Sequence, residues 1–134
     1  TGGLTSCDVR DVVDGLLAAC EKAPAGRQFI LAGENLTYQQ IWCLFAEVSG
    51  GRKPWFRAGP LMRFLGGYGG DLWGRITGRE PDVNSAAVRM SSLFHYYSSA
   101  RAVAELDYRT RPFRQSVADA WAWFVEHGYA SIHS

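Results

Sequence analysis

Apolar residues recur at three-and-four spacing over four stretches of the chain, and each predicts a helix with one buried face. Val9, Val12, Val13, Leu16, Leu17 and Cys20 mark a helix from Val9 to about Lys22, with Ser6 or Asp8 as its cap. Tyr38, Ile41, Trp42, Phe45 and Val48 mark a second, opened by a capping box of Thr37 and Gln40 and closed at Gly50. A third follows Pro60, a residue suited to a first helical turn, and carries Leu61, Met62, Phe64, Leu65, Leu72, Trp73 and Ile76. Gly66, Gly67, Gly69 and Gly70 interrupt it and predict a bend or break, since an interior glycine costs about 1 kcal/mol against alanine. The last runs from a Ser116 cap to Gly128, with Val117, Ala120, Trp121, Phe124 and Val125 along one face. Shorter helices are predicted over Asp82 to Ser92 and from about Ser98 to Leu106.

Between these lie short extended pieces. Leu4 to Cys7 reads as a strand, Arg52 to Arg57 (RKPWFR) as an edge piece marked by Pro54, and the aromatics of FHYYSS as a strand feeding directly into a helix. Arg27 to Ala32 (RQFILA) is an apolar run bounded by turn residues, the signature of a strand covered on both faces in a parallel sheet. The order β-α-β-α-β followed by helices predicts a mixed α/β architecture with at least one parallel pairing. RQFILA needs neighbours on both sides, and the chain offers too few, so part of its sheet is expected elsewhere.

The length of 134 residues bounds the chain to one unit with a single core. Hydrophobic residues at 47%, with five Trp, exclude disorder. A net charge of +1 supplies no overall field for a polyanion or a membrane surface, so neither a nucleic acid nor a membrane is expected as partner. The basic and aromatic residues interleaved in RKPWFR and YRTRPFR read as solvated loops. No uncharged run is long enough to span a bilayer. Cys7, Cys20 and Cys43 form no CxxC pair, and together with the lack of a signal peptide they predict a reduced, cytoplasmic protein. The opening TGGLTSCDVRD begins without Met or a basic start, as a piece of a longer chain would.

Local motifs exclude several chemistries. His95, His127 and His133 have no metal-ligand spacing, and no Ser or Cys stands on a Gly-x-Ser-x-Gly elbow. GGYGG at 66 to 70 follows no strand and lacks a Lys-Ser/Thr, so it reads as a hinge and not as a phosphate loop. Asp8, Asp11 and Asp14 fall on adjoining parts of one helix start, where the macrodipole favours the first two without any chemistry.

Three segments, in order and covering nearly the whole chain, resemble the extended short-chain dehydrogenase/reductases, the NAD-dependent epimerase/dehydratase family. SCDVRDVVDGLLAACEKA is similar to the family's strand, V-x-D-V-type turn and helix. GRQFILAGENLTYQQIWCLFAEVSGG is similar to its last core strand, turn and capped helix. YYSSARAVAELDYRTRPFRQSVADAWAWF is similar to its closing Ser-x-Lys/Arg-Ala helix, E-L-G-Y-like turn and Trp-containing last helix. The segment DVNSAAVRMSS resembles the branch with dihydroflavonol reductases and 3β-hydroxysteroid dehydrogenase-like enzymes. Arg79-Glu80-Pro81-Asp82 departs from the R-x-G-D of nucleotide-sugar epimerases, lacking the Gly and lying too far upstream.

The resemblance implies a C-terminal fragment of a Rossmann-type protein, mostly helical with a few short, partly parallel strands. The last part of the nucleotide-binding core occupies about residues 1–50 and a substrate-binding lobe about 51–134, with the N-terminal cofactor-binding domain absent. It further implies NAD or NADP in the intact parent and a bulky, partly apolar small-molecule substrate altered at a hydroxyl or carbonyl carbon. Tyr68, Trp73 and Arg79, in the lid position, are the substrate contacts it suggests; no catalytic, cofactor-binding or metal residue is expected here. The family's GxxGxxG and Tyr-x-x-x-Lys are both missing: Tyr38, Tyr68, Tyr96, Tyr97, Tyr108 and Tyr129 are followed four places on by Trp42, Leu72, Ala100, Arg101, Pro112 and His133. Alone, such a chain is expected to be inactive and to self-associate through the bare RQFILA edge and the stripe of the first helix, both of which lose neighbours. A free-standing helical module that holds a protein partner on its aromatic surface is the alternative.

Overall fold

The computed structural model describes residues 2–55, 59–79, 81 and 84–130. Its elements in chain order are β1 (Gly3–Thr5), α1 (Val9–Lys22), β2 (Asn35–Thr37), α2 (Tyr38–Ser49), α3 (Pro60–Thr77), α4 (Ser85–Met90), β3 (Phe94–His95), α5 (Ala100–Leu106) and α6 (Phe113–Glu126). The strands form one small sheet in the order β2-β1-β3, antiparallel between β1 and β2 and parallel between β1 and β3, where Gly3 pairs Phe94 and Leu4 pairs His95. The expected α/β class, mostly helical with short and partly parallel strands, is borne out.

Local chemistry accounts for the helix starts. Asp8 caps α1 by accepting from the Arg10 amide at 2.9 Å. The capping box at α2 is complete: the Gln40 amide donates to Thr37 Oγ1 at 3.3 Å, and the Thr37 amide donates to Gln40 Oε1 at 2.8 Å. Gly50 closes this helix in the left-handed conformation. Thr37→Ala is expected to lower stability by about 1 kcal/mol and Thr37→Ser to leave it nearly unchanged, read from denaturant midpoints.

The buried core is small. Ala102, Leu106 and Tyr108 form its centre, with Ala18, Ala19, Ala23, Phe29 and Leu31 packed around them. Gly15 lets the chain close here, because a Cβ on it would lie 2.8 Å from Leu31 Cδ2 and 3.0 Å from the Tyr108 ring. Helices pair as α1 with α5, α2 with α6 and α3 with α4.

Several expectations are corrected. Residues 27–32 form no strand: a strand exists by pairing, and among the described residues the β1–β2 ladder extends only as far as Glu34, whose carbonyl accepts from the Ser6 amide at 2.9 Å. It is held by other means, with Phe29 and Leu31 against the core, Ala32 buried, and the Arg101 guanidinium donating to the Gln28 carbonyl at 3.2 Å. The buried face of α1 is not its apolar stripe. Asp11 and Gly15 are buried, whereas Val9, Val13, Leu16, Leu17 and Cys20 are exposed, as loss of a neighbour would leave them.

The third helix runs unbroken through its glycines. A Cβ on Gly67 would lie 3.1 Å from Ser85 Cα at the start of α4 and one on Gly74 3.0 Å from the Pro81 ring, so these two glycines allow close approach of α4 and of Pro81 and do not act as a hinge. Ser116 lies inside α6, which starts beyond Pro112, and its hydroxyl donates to Asp8 Oδ2 instead of capping. The strand placed at Leu4 to Cys7 begins one residue earlier and ends at Thr5. Residues 52–55 form no strand, and residues 56–57 lie outside the described residues. The helix expected from Asp82 begins at Ser85, behind an Asn84 cap, with residues 82–83 outside the described residues.

Candidate functional site

The two carboxylates at the start of α1 form the most elaborate polar cluster. Asp8 Oδ1 and Oδ2 accept from Arg10 Nε at 2.9 Å and Nη2 at 2.7 Å, and Arg10 also reaches Asp119 of α6 at 2.6 Å. Asp11 accepts from the Arg111 amide at 2.8 Å and from its Nε at 2.6 Å. Both carboxylates are buried. The hydrogen bond from Arg10 holds the Asp8 carboxyl far below the usual carboxylate range, against desolvation and with help from Ser116. Such an anion is saturated with donors and makes a poor base, so the cluster ties α1 to α6 and to the 109–112 loop. Helix-start charge, expected to be a dipole effect alone, is thus a cross-chain tether that only the three-dimensional placement of Arg111 and Ser116 reveals.

Beside it, the Cys7 thiol lies 3.3 Å from the Tyr108 hydroxyl, and burial raises the phenol well above its ordinary value, leaving it neutral. Among the described residues, no group of three His, Cys, Asp or Glu is placed to hold a metal ion.

Tyr68 and Arg79 line two separate depressions along the α3–α4 pair. The first, about 310 Å³, is walled by Arg63, Phe64, Tyr68, Arg89 and Ser92, with the Phe64 and Tyr68 rings 4.4 Å apart. The second, about 450 Å³, is shallow and walled by Asp71, Arg75, Arg79 and Asn84. Asp71 accepts from the Ser85 amide at 3.0 Å, and hydrogen bonding to Ser85 lowers its carboxyl, so it too stays an anion. These walls offer cations and hydroxyls for holding a polar group, with the Asp71 carboxylate in the second. Trp73 lines neither depression; it is exposed on another side of α3.

A further groove escaped the sequence reading. Phe45 and Val48 of α2 face Phe113, Val117, Trp121 and Phe124 of α6 across an apolar space of about 430 Å³. Both stripes were legible one at a time, but nothing in either says that the two helices face each other; the ring contact of Phe45 with Phe113 at 6.3 Å does.

The architecture recurs in a solved structure, the crystal structure of gox2253, with a TM-score of 0.75 and 31% identity over 97% of this chain and 39% of that one. This is the class: an α/β unit that makes up part of a larger protein in its structural relative. In particular, the chain is 31% identical over 131 residues to a putative dihydroflavonol 4-reductase of Synechocystis sp., covering 95% of this chain and 38% of the relative. It is 30% identical over 129 residues to sterol demethylase protein B of Methylococcus capsulatus, covering 95% and 39%. The chain therefore spans about two fifths of the length of the curated relatives it matches. No family model matches it. The likeness to dihydroflavonol reductases, read from the segment DVNSAAVRMSS, is borne out.

Proposed function

We propose that this chain is the substrate-side portion of an NAD(P)-dependent reductase-like protein and has no activity by itself. The observation that carries the reading is its alignment, over 95% of its length, with 38% of a dihydroflavonol 4-reductase. In this reading residues 1–50 complete the nucleotide-binding core and residues 51–134 form the lobe over the substrate. The parent transfers hydride at a carbon bearing oxygen, the cofactor supplying the hydride; the nucleotide site and the acid/base tyrosine lie in the portion that the relatives have and this sequence lacks. This chain contributes binding. Tyr68 and Arg79, on the α3–α4 depressions, are its contacts to a bulky, partly apolar substrate, the ring covering the apolar body and the guanidinium holding an oxygen. The exposed α1 stripe and residues 27–33 face the cofactor-binding domain, and without that domain the chain self-associates through them.

Expressing the natural reading frame beside the 134-residue chain tests this. The longer protein is expected to bind NADPH or NADH and oxidise it with cyclic or sterol-like ketones, and the chain alone to show neither property. Tyr68→Ala in the longer protein is expected to raise KM at least tenfold. A reading frame that starts close to Thr1, giving a monodisperse monomer without dye-binding apolar surface, would falsify the proposal.

A further inference from the structure

The third helix is packed with its apolar side out. Toward α4 and the residues flanking it the helix presents Gly67 against Ser85, Gly74 against Pro81, the Arg63 guanidinium, which donates to Ser92 Oγ at 3.1 Å, and Asp71, which accepts from the Ser85 amide. Away from α4, at 3.6 residues per turn, Leu61, Met62, Leu65, Leu72, Trp73 and Ile76 fall within an arc of about 120°. These six side chains are between 55% and 72% exposed. Helices of water-soluble domains have the opposite polarity, so this face is built to meet something apolar.

Charge indicates what. Residues 52–80 hold six basic residues, Arg52, Lys53, Arg57, Arg63, Arg75 and Arg79, against Asp71 and Glu80, a net charge of +4 in a chain whose total is +1. The near-neutral whole conceals a basic segment that contains the apolar arc, with an acidic remainder. Trp55, five residues before α3, is 98% exposed. A helix with a broad apolar face, a polar opposite side, flanking arginines and tryptophans has the composition of one lying in the plane of a lipid–water interface. Its 18 residues cannot serve as a span: no helix among the described residues is long and apolar enough to cross a membrane.

We infer that α3 is a membrane-surface docking element, seated on an anionic phospholipid bilayer with Leu65, Leu72, Trp73 and Ile76 in the acyl boundary and Arg75, at the border of the apolar arc, among the headgroups. The proposal is independent of the enzymatic reading, since a lipid surface needs no nucleotide and no missing domain. It does add a consequence for it. A partly apolar substrate would reach the α3–α4 depressions from the bilayer and not from bulk water.

Cosedimentation of the 134-residue chain with vesicles decides the matter. Binding is expected to vesicles of phosphatidylcholine with about 30% phosphatidylglycerol, and to fall at least tenfold in pure phosphatidylcholine or on raising salt from about 0.1 to 0.5 M. Leu72→Glu with Ile76→Glu is expected to abolish binding, and Arg75→Glu to weaken it several-fold with unchanged far-ultraviolet circular dichroism. Leu16→Glu, on the equally exposed α1 stripe, is expected to leave it intact. Equal binding to neutral vesicles, no binding to anionic ones, or a loss in Leu16→Glu as great as that on α3 overturns the proposal. So does a discrete dimer that Leu72→Glu dissociates, if vesicle binding is absent.

Discussion

Asp8→Ala is expected to lower the unfolding free energy by about 2–4 kcal/mol, more than any surface change in the chain. The carboxylate caps α1, engages Arg10 with both oxygens and accepts from Ser116 of α6, all while buried. Removing it loses a cap, worth about 1–2 kcal/mol, and leaves charge-assisted donors without their acceptor. By contrast the pairs Arg27–Glu105, Lys22–Asp107 and Arg114–Glu47 are largely exposed and contribute little each. The pH dependence follows from the direction of the Asp8 shift. Its folded pKa is depressed, so its contribution is fully present above the ordinary Asp value near 4 and is lost as pH falls below it. Denaturant midpoints should therefore drop steeply between about pH 4.5 and pH 2, and the drop should be shallower in Asp8→Ala. Equal slopes in the two proteins would remove Asp8 as the cause.

Leu106→Ala is expected to cost about 2–5 kcal/mol. Leu106 is 2% exposed, and with Ala102 and Tyr108 it makes up the core on which Phe29 and Leu31 rest. The residues packed around it, mostly alanines with Phe29 and Leu31, are partly exposed and cannot fill the cavity without giving up their own contacts. Typical net stabilities of 5–15 kcal/mol leave a chain of this size little reserve, so the variant should populate unfolded molecules measurably at room temperature. Limited proteolysis adds a local readout. The 24–33 stretch, secured through Phe29 and Leu31, should be cut first and faster than in the parent chain. Wild-type cleavage rates there would mean that this stretch is anchored elsewhere.

Helices were the legible part of the sequence because their determinants are local. The Thr37–Gln40 capping box, the Asp8 cap and the boundaries of α1 need only neighbours a turn away. What each helix faces is not local. The spacing marked the apolar stripe of α1, which stands exposed as a face that has lost its neighbour would, but gave no sign that the burial falls on Asp11 and Gly15. In α3 the glycines expected to break the helix instead leave room for neighbours, Gly67 for Ser85 and Gly74 for Pro81. RQFILA failed as a strand for a related reason: its composition reports the environment the sequence is fitted to, and pairing depends on which partners are at hand. Of the candidate site, the sequence supplied Tyr68 and Arg79 as residues but not their separate depressions, and it left the α2–α6 groove unseen because that groove exists only where two distant stripes converge.

Residues 28–33 are fastened by their side chains while their peptide groups carry no ladder among the described residues. The conformational freedom of that stretch has been given up before anything arrives beside it, so an incoming extended segment forfeits only its own. Such a rail welcomes any peptide that fits its spacing, the right one or a wrong one. An unpaired backbone stretch held ready in this way lowers the yield of folded protein, since wrong pairings find it as easily as right ones.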